Sequence, residues 1–349
     1  MMLDEVFILL LGLAMACTFR WAFRTLPQEQ WQMIGSIPVR RLPDGAWLGW
    51  NLTWYGFFNA ASVLLATSLF LILMGSLSVP TGISLFLLFI LLAACLPAAR
   101  LMAYLVERKR NTFTVGGAFF VGVLLAPWIV WSASEITASL FGFGLSVMQT
   151  LAALAIAYAL GEGVGRLACI SFGCCYGKPL VDCSPWIQRL FSKNYFIFAG
   201  KTKKIAYAHQ LDGVKVIPIQ AVTAVIFGLT GLAGCYLFLK GFSFLAFTGT
   251  LLGTQVWRIL SETLRADYRG NGRISAYQLM AAAAILYAAG IGYAFHASAS
   301  NPPVLISGLK SLWDPALILF VLAVWFAILI YLGKSKMTAA IIHFRTDGE

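Results

Sequence analysis

Nine apolar runs constrain this chain more than any other feature. They fall near residues 5–22, 54–76, 82–106, 114–134, 137–160, 217–239, 241–262, 275–295 and 313–333. Each reaches or approaches the ~20 residues that a helix rising ~1.5 Å per residue needs to cross a bilayer core. Only 11% of the residues are charged, against about a quarter in a soluble domain, and 60% are hydrophobic. The expected fold is therefore all-α: a polytopic membrane protein of about nine transmembrane helices. The net charge of +11 points to anionic lipid headgroups as partners. No aromatic-basic recognition motif accompanies it, so nucleic acid is not expected. The N-terminus, MMLDEVFILLLGLAMACTFR, resembles an export signal ending at Cys17. Its leading Asp4 and Glu5 carry the wrong charge for one, so it reads as a first span.

Two segments between the runs are too polar to span. Residues 23–53 form a mixed arm. Residues 161–216 form a head holding Lys178, Arg189, Lys193, Lys201, Lys203, Lys204 and Lys215. Trp47, Trp50, Trp54, Trp128, Trp131, Trp257 and Trp313 stand near run ends, as interfacial anchors do. Nine alternating spans put the arm, loop 107–113, the head, loop 263–274 and the C-terminal tail on one face. With the adjoining span ends included, that face receives every lysine and arginine except Lys240 and Lys310. The positive-inside rule makes it the cytoplasmic face. Seven cysteines without evident pairing fit a reducing compartment.

Two constellations carry chemistry. The stretch Gly161-Glu162-x-x-Gly165-Arg166 leads into Cys169, Gly173, Cys174, Cys175, Gly177 and Lys178. Its glycines let backbone approach a ligand closely, and the planar fork of Arg166 suits a phosphate. The bland alternative is an arginine snorkelling to the headgroups beside a tight turn. In the second stretch Arg258, Glu262 and Arg265, with Asp267 beyond, are spaced i, i+4 and i+7 and share one helical stripe. An ion-pair ladder there would leave one positive charge over, which favours a nearby anion. The cysteines read as packing residues, as a nucleophile activated by Arg166 and Lys178, or as a metal site of Cys169, Cys174, Cys175 and Cys183 with His209. Their spacing matches no standard zinc pattern, so no metal is expected. Cys174 and Cys175 together could instead serve thiol redox chemistry, although neighbouring cysteines bridge only with strain. His209, His296 and His343 are scattered, and none can be assigned as a general base.

The order of several pieces is telling. Trp54-Tyr55-Gly56 opens a span. Arg100 and Tyr104 end another, and Gly116-Gly117 with Phe120 and Gly122 begins the next. Gly165-Arg166-Leu167 follows with Gly173 and Gly177, then Pro218 and Gln220, then Arg258, Glu262, Arg265, Asp267 and Ser275-x-x-Gln278. In this order and at these separations, over roughly residues 54–295, the chain resembles the prolipoprotein diacylglyceryl transferase family. The resemblance implies a seven-span core at 54–295. An extra span and amphipathic arm would precede it at 1–53, and an extra span and basic tail would follow at 296–349. It implies transfer of a diacylglyceryl group from phosphatidylglycerol, or a similar anionic phospholipid, to a cysteine thiol. Glycerol phosphate is released, no cofactor is needed, and the setting is the bacterial cytoplasmic membrane.

Carried over to this sequence, the resemblance makes Arg166 and Arg258 the holders of the donor phosphate. Tyr55 positions the donor, and Glu262 and Arg265 support the site. Arg100, Gln278, Gly165, Gly177 and Lys178 join the candidate binding residues, and Cys174 or Cys175 is the candidate thiol carrier. The chain departs from the pattern on the acceptor side. Val121 stands where a histidine or other polar residue is frequent, Cys169 where asparagine is usual, Cys174 where glutamate is usual, and Thr223 where a second glutamate is usual. The phosphate-holding half is retained and the acceptor-activating half is not. A phospholipid-binding or transport protein on the same scaffold is the alternative reading, as is a related transferase with a cytoplasmic-facing site and another acceptor. The family works on the outer face of the membrane, opposite to the face that the charge count gives the head.

Overall fold

The computed structural model describes residues 3–107, 115–267, 274–295 and 302–342. Among these are nine helices of 19 residues or more: α1 (Leu3–Thr25), α2 (Trp54–Ser76), α3 (Thr81–Glu107), α4 (Val115–Phe141), α5 (Val147–Phe172), α8 (Ile219–Leu239), α9 (Ser243–Thr263), α10 (Ala276–Phe295) and α12 (Pro315–Gly333). Short helices α6 (Pro185–Leu190) and α7 (Lys204–His209) lie in the head, and α11 (Leu305–Leu312) precedes α12. Eight of the nine long helices are apolar enough to cross a membrane. The remaining one, α9, carries Gln255, Arg258 and Glu262 on its length.

Two features depart from the sequence reading. The span expected to end at residue 160 continues as helix to Phe172, where Gly173 closes it in the left-handed conformation (φ 70°). Glu162 and Arg166 therefore stand inside a long helix, and the head begins after it. The physical reason is that Gly161, Gly163 and Gly165 meet close neighbours on α2 and α8, and helix packing overrides their low propensity. The second departure is a small sheet within an otherwise helical fold. Strands β1 (Met33–Arg41) and β2 (Trp47–Thr53) form an antiparallel hairpin, and β5 (Lys334–Ile342) pairs antiparallel with β2, from Trp47↔Ile342 to Leu52↔Lys334. The arm and the tail, nearly 300 residues apart in sequence, are thus one structure. A two-residue pair, β3 (Phe196–Ile197) and β4 (Lys215–Val216), braces the head.

The packing supports alternating spans. On one face the arm, head and tail meet. The Ala199 amide donates to Pro27 O (3.1 Å), Thr202 Oγ1 donates to Gln32 Oε1 (2.7 Å), and Ser171 Oγ donates to Trp31 O (2.7 Å). On the other face Lys240 pairs with Asp4 and Glu5 at the start of α1, and the Val304 amide caps Ser76 O at the end of α2 (2.8 Å). Parts of the loops 107–113 and 263–274, the tail beyond residue 342, His296 and His343 lie outside the described residues. At the centre α5 packs on α2, α8 and α9, with Leu151, Ile156, Leu160, Leu167, Phe70 and Phe227 buried between them.

Lys203 fastens the head to the bundle. It is fully buried, and its Nζ donates to Leu26 O (3.0 Å) and Ser171 O (2.7 Å), joining α7 to the ends of α1 and α5. Burial pushes its ammonium down to about 7, with Glu29 opposing. Between that value and the ordinary lysine value of 10.5, the unfolded chain holds a proton that the folded chain has released. Stability contributed by this site therefore rises with pH across that window, and the full cost of the buried charge is present below it. Thermal melts of the detergent-solubilised protein should show a midpoint rising from pH 7 to pH 10, and the rise should shrink in Lys203→Met. An unchanged slope in that variant would contradict the assignment.

Because Lys203 is buried, sidedness is best probed at the exposed Lys201. Lys201→Cys and Lys310→Cys are expected to react with an impermeant thiol reagent from opposite faces of the membrane. Labelling of both from one face would contradict the topology, and the face on which Lys201 reacts names the compartment the head occupies.

Candidate active site

The helix α5 carries Tyr158, Glu162 and Arg166 at successive i, i+4 positions, so the three stand on one stripe. Glu162 and Arg166 form an ion pair along the helix. Arg258 enters from α9: its Nη2 lies 3.8 Å from the same Glu162 oxygen and donates to Tyr158 Oη at 2.8 Å. The Arg258 guanidinium lies over the Phe119 ring from α4, 5.5 Å from its centroid, and Phe119 in turn lies against Tyr158. Gly116 makes this reach possible, because a Cβ there would stand 2.8 Å from Arg258 Nη1. All three charged side chains are 10–13% exposed. Two guanidinium groups on one carboxylate leave an excess of one positive charge. Among the described residues Arg166 Nε is moreover buried without a hydrogen-bond partner, and buried donors in that state are few and call for an explanation.

The Arg258, Glu262 and Arg265 stripe does not form the single ladder that its spacing suggests. Arg258 turns to Glu162. Arg265 makes a two-point bond to Asp267 (Nε–Oδ1 and Nη2–Oδ2, both 2.8 Å) and lies 3.7 Å from Glu262. The reason is that α9 ends at Thr263, and the chain then turns back toward the head. There Gly177 bridges Arg265, Ala266 donates to Tyr176 O (3.1 Å), and Lys178 donates its amide to Leu264 O (2.9 Å). Only glycine fits at 177, where a Cβ would fall 2.4 Å from Ile217 O. Ser275 Oγ contacts Glu262 at 3.4 Å, and Gln278 Nε2 donates to Ile259 O (3.1 Å), tying α10 to this second cluster.

A third group lies beside these. The sulfurs of Cys169, Cys174 and Cys175 are all within 4.8 Å of one another. Cys175 adopts the left-handed conformation (φ 55°), which folds the turn after Gly173 back toward α5. Gln220 Nε2 donates to Cys174 O (2.9 Å). Tyr55, at the start of α2, stands within electrostatic reach of all three thiols and packs on Phe172. Arg166 is within reach of Cys169, and Arg265 of Cys175. The expectation that nearby cations make a thiolate is not met at Cys174. Hydrogen bonds with Cys169 and Cys175, and then burial, hold its thiol well above the ordinary range.

Most of the expected residues converge here, and two do not. Arg166, Arg258, Tyr55, Gly165, Cys174, Cys175, Glu262, Arg265, Gly177 and Gln278 lie on the adjoining ends of α2, α5, α9 and α10 and on the turn after α5. Gly165 faces Ser62 of α2 at ordinary contact distance. Arg100 lies instead on the exposed side of α3 and donates to Tyr331 of α12 (3.4 Å). The Lys178 side chain is exposed. Cys183 donates to Pro179 O (3.3 Å), and His209 bonds Tyr176, so neither joins the three thiols. Tyr158 and Phe119 were not foreseen, although the Tyr158, Glu162 and Arg166 spacing already marks a polar stripe in an apolar helix.

Residues 46–294 match the family model of the prolipoprotein diacylglyceryl transferases. The chain belongs to that family. A comparison with curated proteins found no match. The matched segment holds β2, every span from α2 to α10 and all three clusters, whereas α1, β1, α12 and β5 fall outside it. Family membership makes the chain a multi-pass membrane transferase.

Glu162→Gln is expected to lower the melting midpoint, because it leaves two buried guanidinium groups without their shared carboxylate. Added phosphatidylglycerol should raise the midpoint of this variant more than that of the wild type, since the lipid phosphate supplies the missing anion. Equal stabilisation of both proteins by the lipid would argue against an anion site between the arginines.

Proposed function

We propose that this protein transfers a diacylglyceryl group from phosphatidylglycerol, or a similar anionic phospholipid, to a thiol acceptor. The observation that carries the reading is the Arg166–Glu162–Arg258 group, with its one excess positive charge and the unpartnered Arg166 Nε. A phosphodiester headgroup brings one negative charge and several acceptor oxygens, so it completes what the group lacks. In the reaction the acceptor sulfur attacks the glyceryl carbon and the thiol proton passes to solvent or to the departing phosphate. The carbon–oxygen bond to phosphate breaks with its electron pair on oxygen, and glycerol phosphate departs. Charge builds on that oxygen in the transition state. Arginines fixed by Glu162, Tyr158 and Phe119 stabilise it without having to reorganise. Tyr55 positions the donor, and Arg265, Glu262 and Gln278 hold the turn that carries Gly177. The setting we propose is a bacterial cytoplasmic membrane, with the acceptor drawn from the face on which the head lies.

The test uses purified full-length protein and phosphatidylglycerol labelled in its diacylglyceryl part. A synthetic prolipoprotein-type peptide with one cysteine serves as acceptor. Mass spectrometry should find the peptide heavier by one diacylglyceryl group, with glycerol phosphate released in equal amount. Arg166→Ala should abolish transfer. Arg166→Lys should lower it roughly 10²–10³-fold, the cost typical of losing one oriented transition-state donor. Full activity in Arg166→Ala would refute the phosphate role. Tight phospholipid retention with no transfer to any thiol would favour the lipid-binding reading.

A further inference from the structure

The three thiols at the end of α5 have more organisation than packing requires. Glycine would fill position 175 without the ~1–3 kcal/mol that a side chain costs in left-handed backbone, yet a cysteine stands there with φ 55°. Its neighbour Cys174 is buried, and the main chain around it is fixed twice. The Cys174 amide donates to Cys169 O (3.0 Å), and its carbonyl accepts from the buried Gln220 (2.9 Å). Among the described residues Gln220 Oε1 has no partner. The sulfurs lie within 4.8 Å of one another. A tetrahedral zinc ion with bonds of about 2.3 Å spaces its sulfurs about 3.8 Å apart, so a small closing movement suffices to ligate one. Sequence spacing hid this arrangement, because the αL turn, and not a paired C-x2-4-C motif, brings the thiols together.

We propose that Cys169, Cys174 and Cys175 form a zinc-type soft-metal site with three thiolate ligands and an open fourth position, and that this position takes the acceptor thiol. Three protein ligands and one vacancy characterise catalytic zinc, whereas structural sites are closed by four. Each ligand loses its proton on binding, so three thiolates and one divalent ion carry a net charge of −1. Arg166, within electrostatic reach of Cys169, supplies a cation beside them, whereas Arg265, near Cys175, is already held by Asp267 and Glu262. Cys169 follows Arg166 by three residues on the same helix, an axial rise of about 4.5 Å. A thiolate held on the metal therefore stands next to the phosphate cradle. Coordination deprotonates the acceptor thiol, and its proton passes to solvent. A sulfur lone pair then forms the bond to the glyceryl carbon as the carbon–oxygen bond breaks toward the phosphate. The metal thus replaces the polar side chains that this chain lacks on the acceptor side. This last role rests on the transferase reading, whereas the metal site itself does not.

The two are separable in one set of experiments on the reduced, purified full-length protein. Titration with Co²⁺ alone should give the intense visible absorption of a tetrahedral thiolate complex at one ion per chain, displaced by Zn²⁺. Cys169→Ser, Cys174→Ser and Cys175→Ser should each abolish it, while Cys183→Ser and Cys95→Ser should leave it unchanged. Gln220→Leu keeps all three ligands and should weaken Co²⁺ binding about 10–100-fold. Addition of the cysteine peptide should shift the band, as a fourth ligand enters. A chain that binds no Co²⁺, or whose band survives in the cysteine variants, overturns the site. A Co²⁺ band that the peptide leaves unmoved, or undiminished transfer after chelation, overturns the acceptor role. A metal site without lipid transfer under any condition leaves this site standing and refutes the transferase reading instead.

Discussion

One carboxylate organises the centre of this bundle. Glu162 lies on a transmembrane helix, where an isolated charge costs several kcal/mol, and it is stabilised because Arg166 and Arg258 both reach it. The pairing is asymmetric in charge, one acid against two bases. A closed ion pair would be a structural element, whereas this open one has a surplus cation and a guanidinium nitrogen without a partner among the described residues, which is the basis for proposing that it receives an anion. The aromatic shelf of Phe119 and Tyr158 fixes where Arg258 points, and the missing side chain at Gly116 leaves it room. The opposite balance, one base against two acids, holds at the end of α9, where Arg265 faces both Asp267 and Glu262 and closes the turn that follows. The two clusters thus carry opposite excess charge, and the second holds the chain where it turns back toward the head.

The remaining architecture keeps these groups in register. The small residues of α5 bring α2 and α8 close, so that Tyr55 and Gln220 approach the end of α5 from either side. The head is anchored to that end by buried hydrogen bonds from Lys203 and by Phe196, Phe198, Ile205 and Val216, which join the apolar core of the bundle. The strand after α12 returns to pair with β2, which leads directly into α2 and Tyr55. Segments outside the family match therefore brace the strand that enters the site.

Much of this was legible in the sequence. Nine runs of apolar residues translate into helices because lipid leaves the backbone no other partner. Arg166 and Arg258 are conspicuous because guanidinium groups in such runs need a reason. What was hidden depends on tertiary contact. Gly161 and Gly165 read as the end of a span, yet they are sites of helix packing, so α5 ran on for three turns. The arm and the tail gave no strand signal strong enough to pair them, since their partner lies at the other end of the chain. Arg258 and Arg265 share a stripe but choose different acids, a choice that spacing cannot reveal. Three thiols separated by a turn in left-handed backbone look scattered until the turn is built.

The central claim is that Arg166 and Arg258 together hold a lipid phosphate, and native mass spectrometry of the purified protein tests it most directly. The wild type should retain one phosphatidylglycerol per chain through detergent exchange, and the Arg166→Ala/Arg258→Ala variant, eluting as a folded monomeric species or oligomer like the parent, should retain none. Equal retention by both proteins would contradict the account.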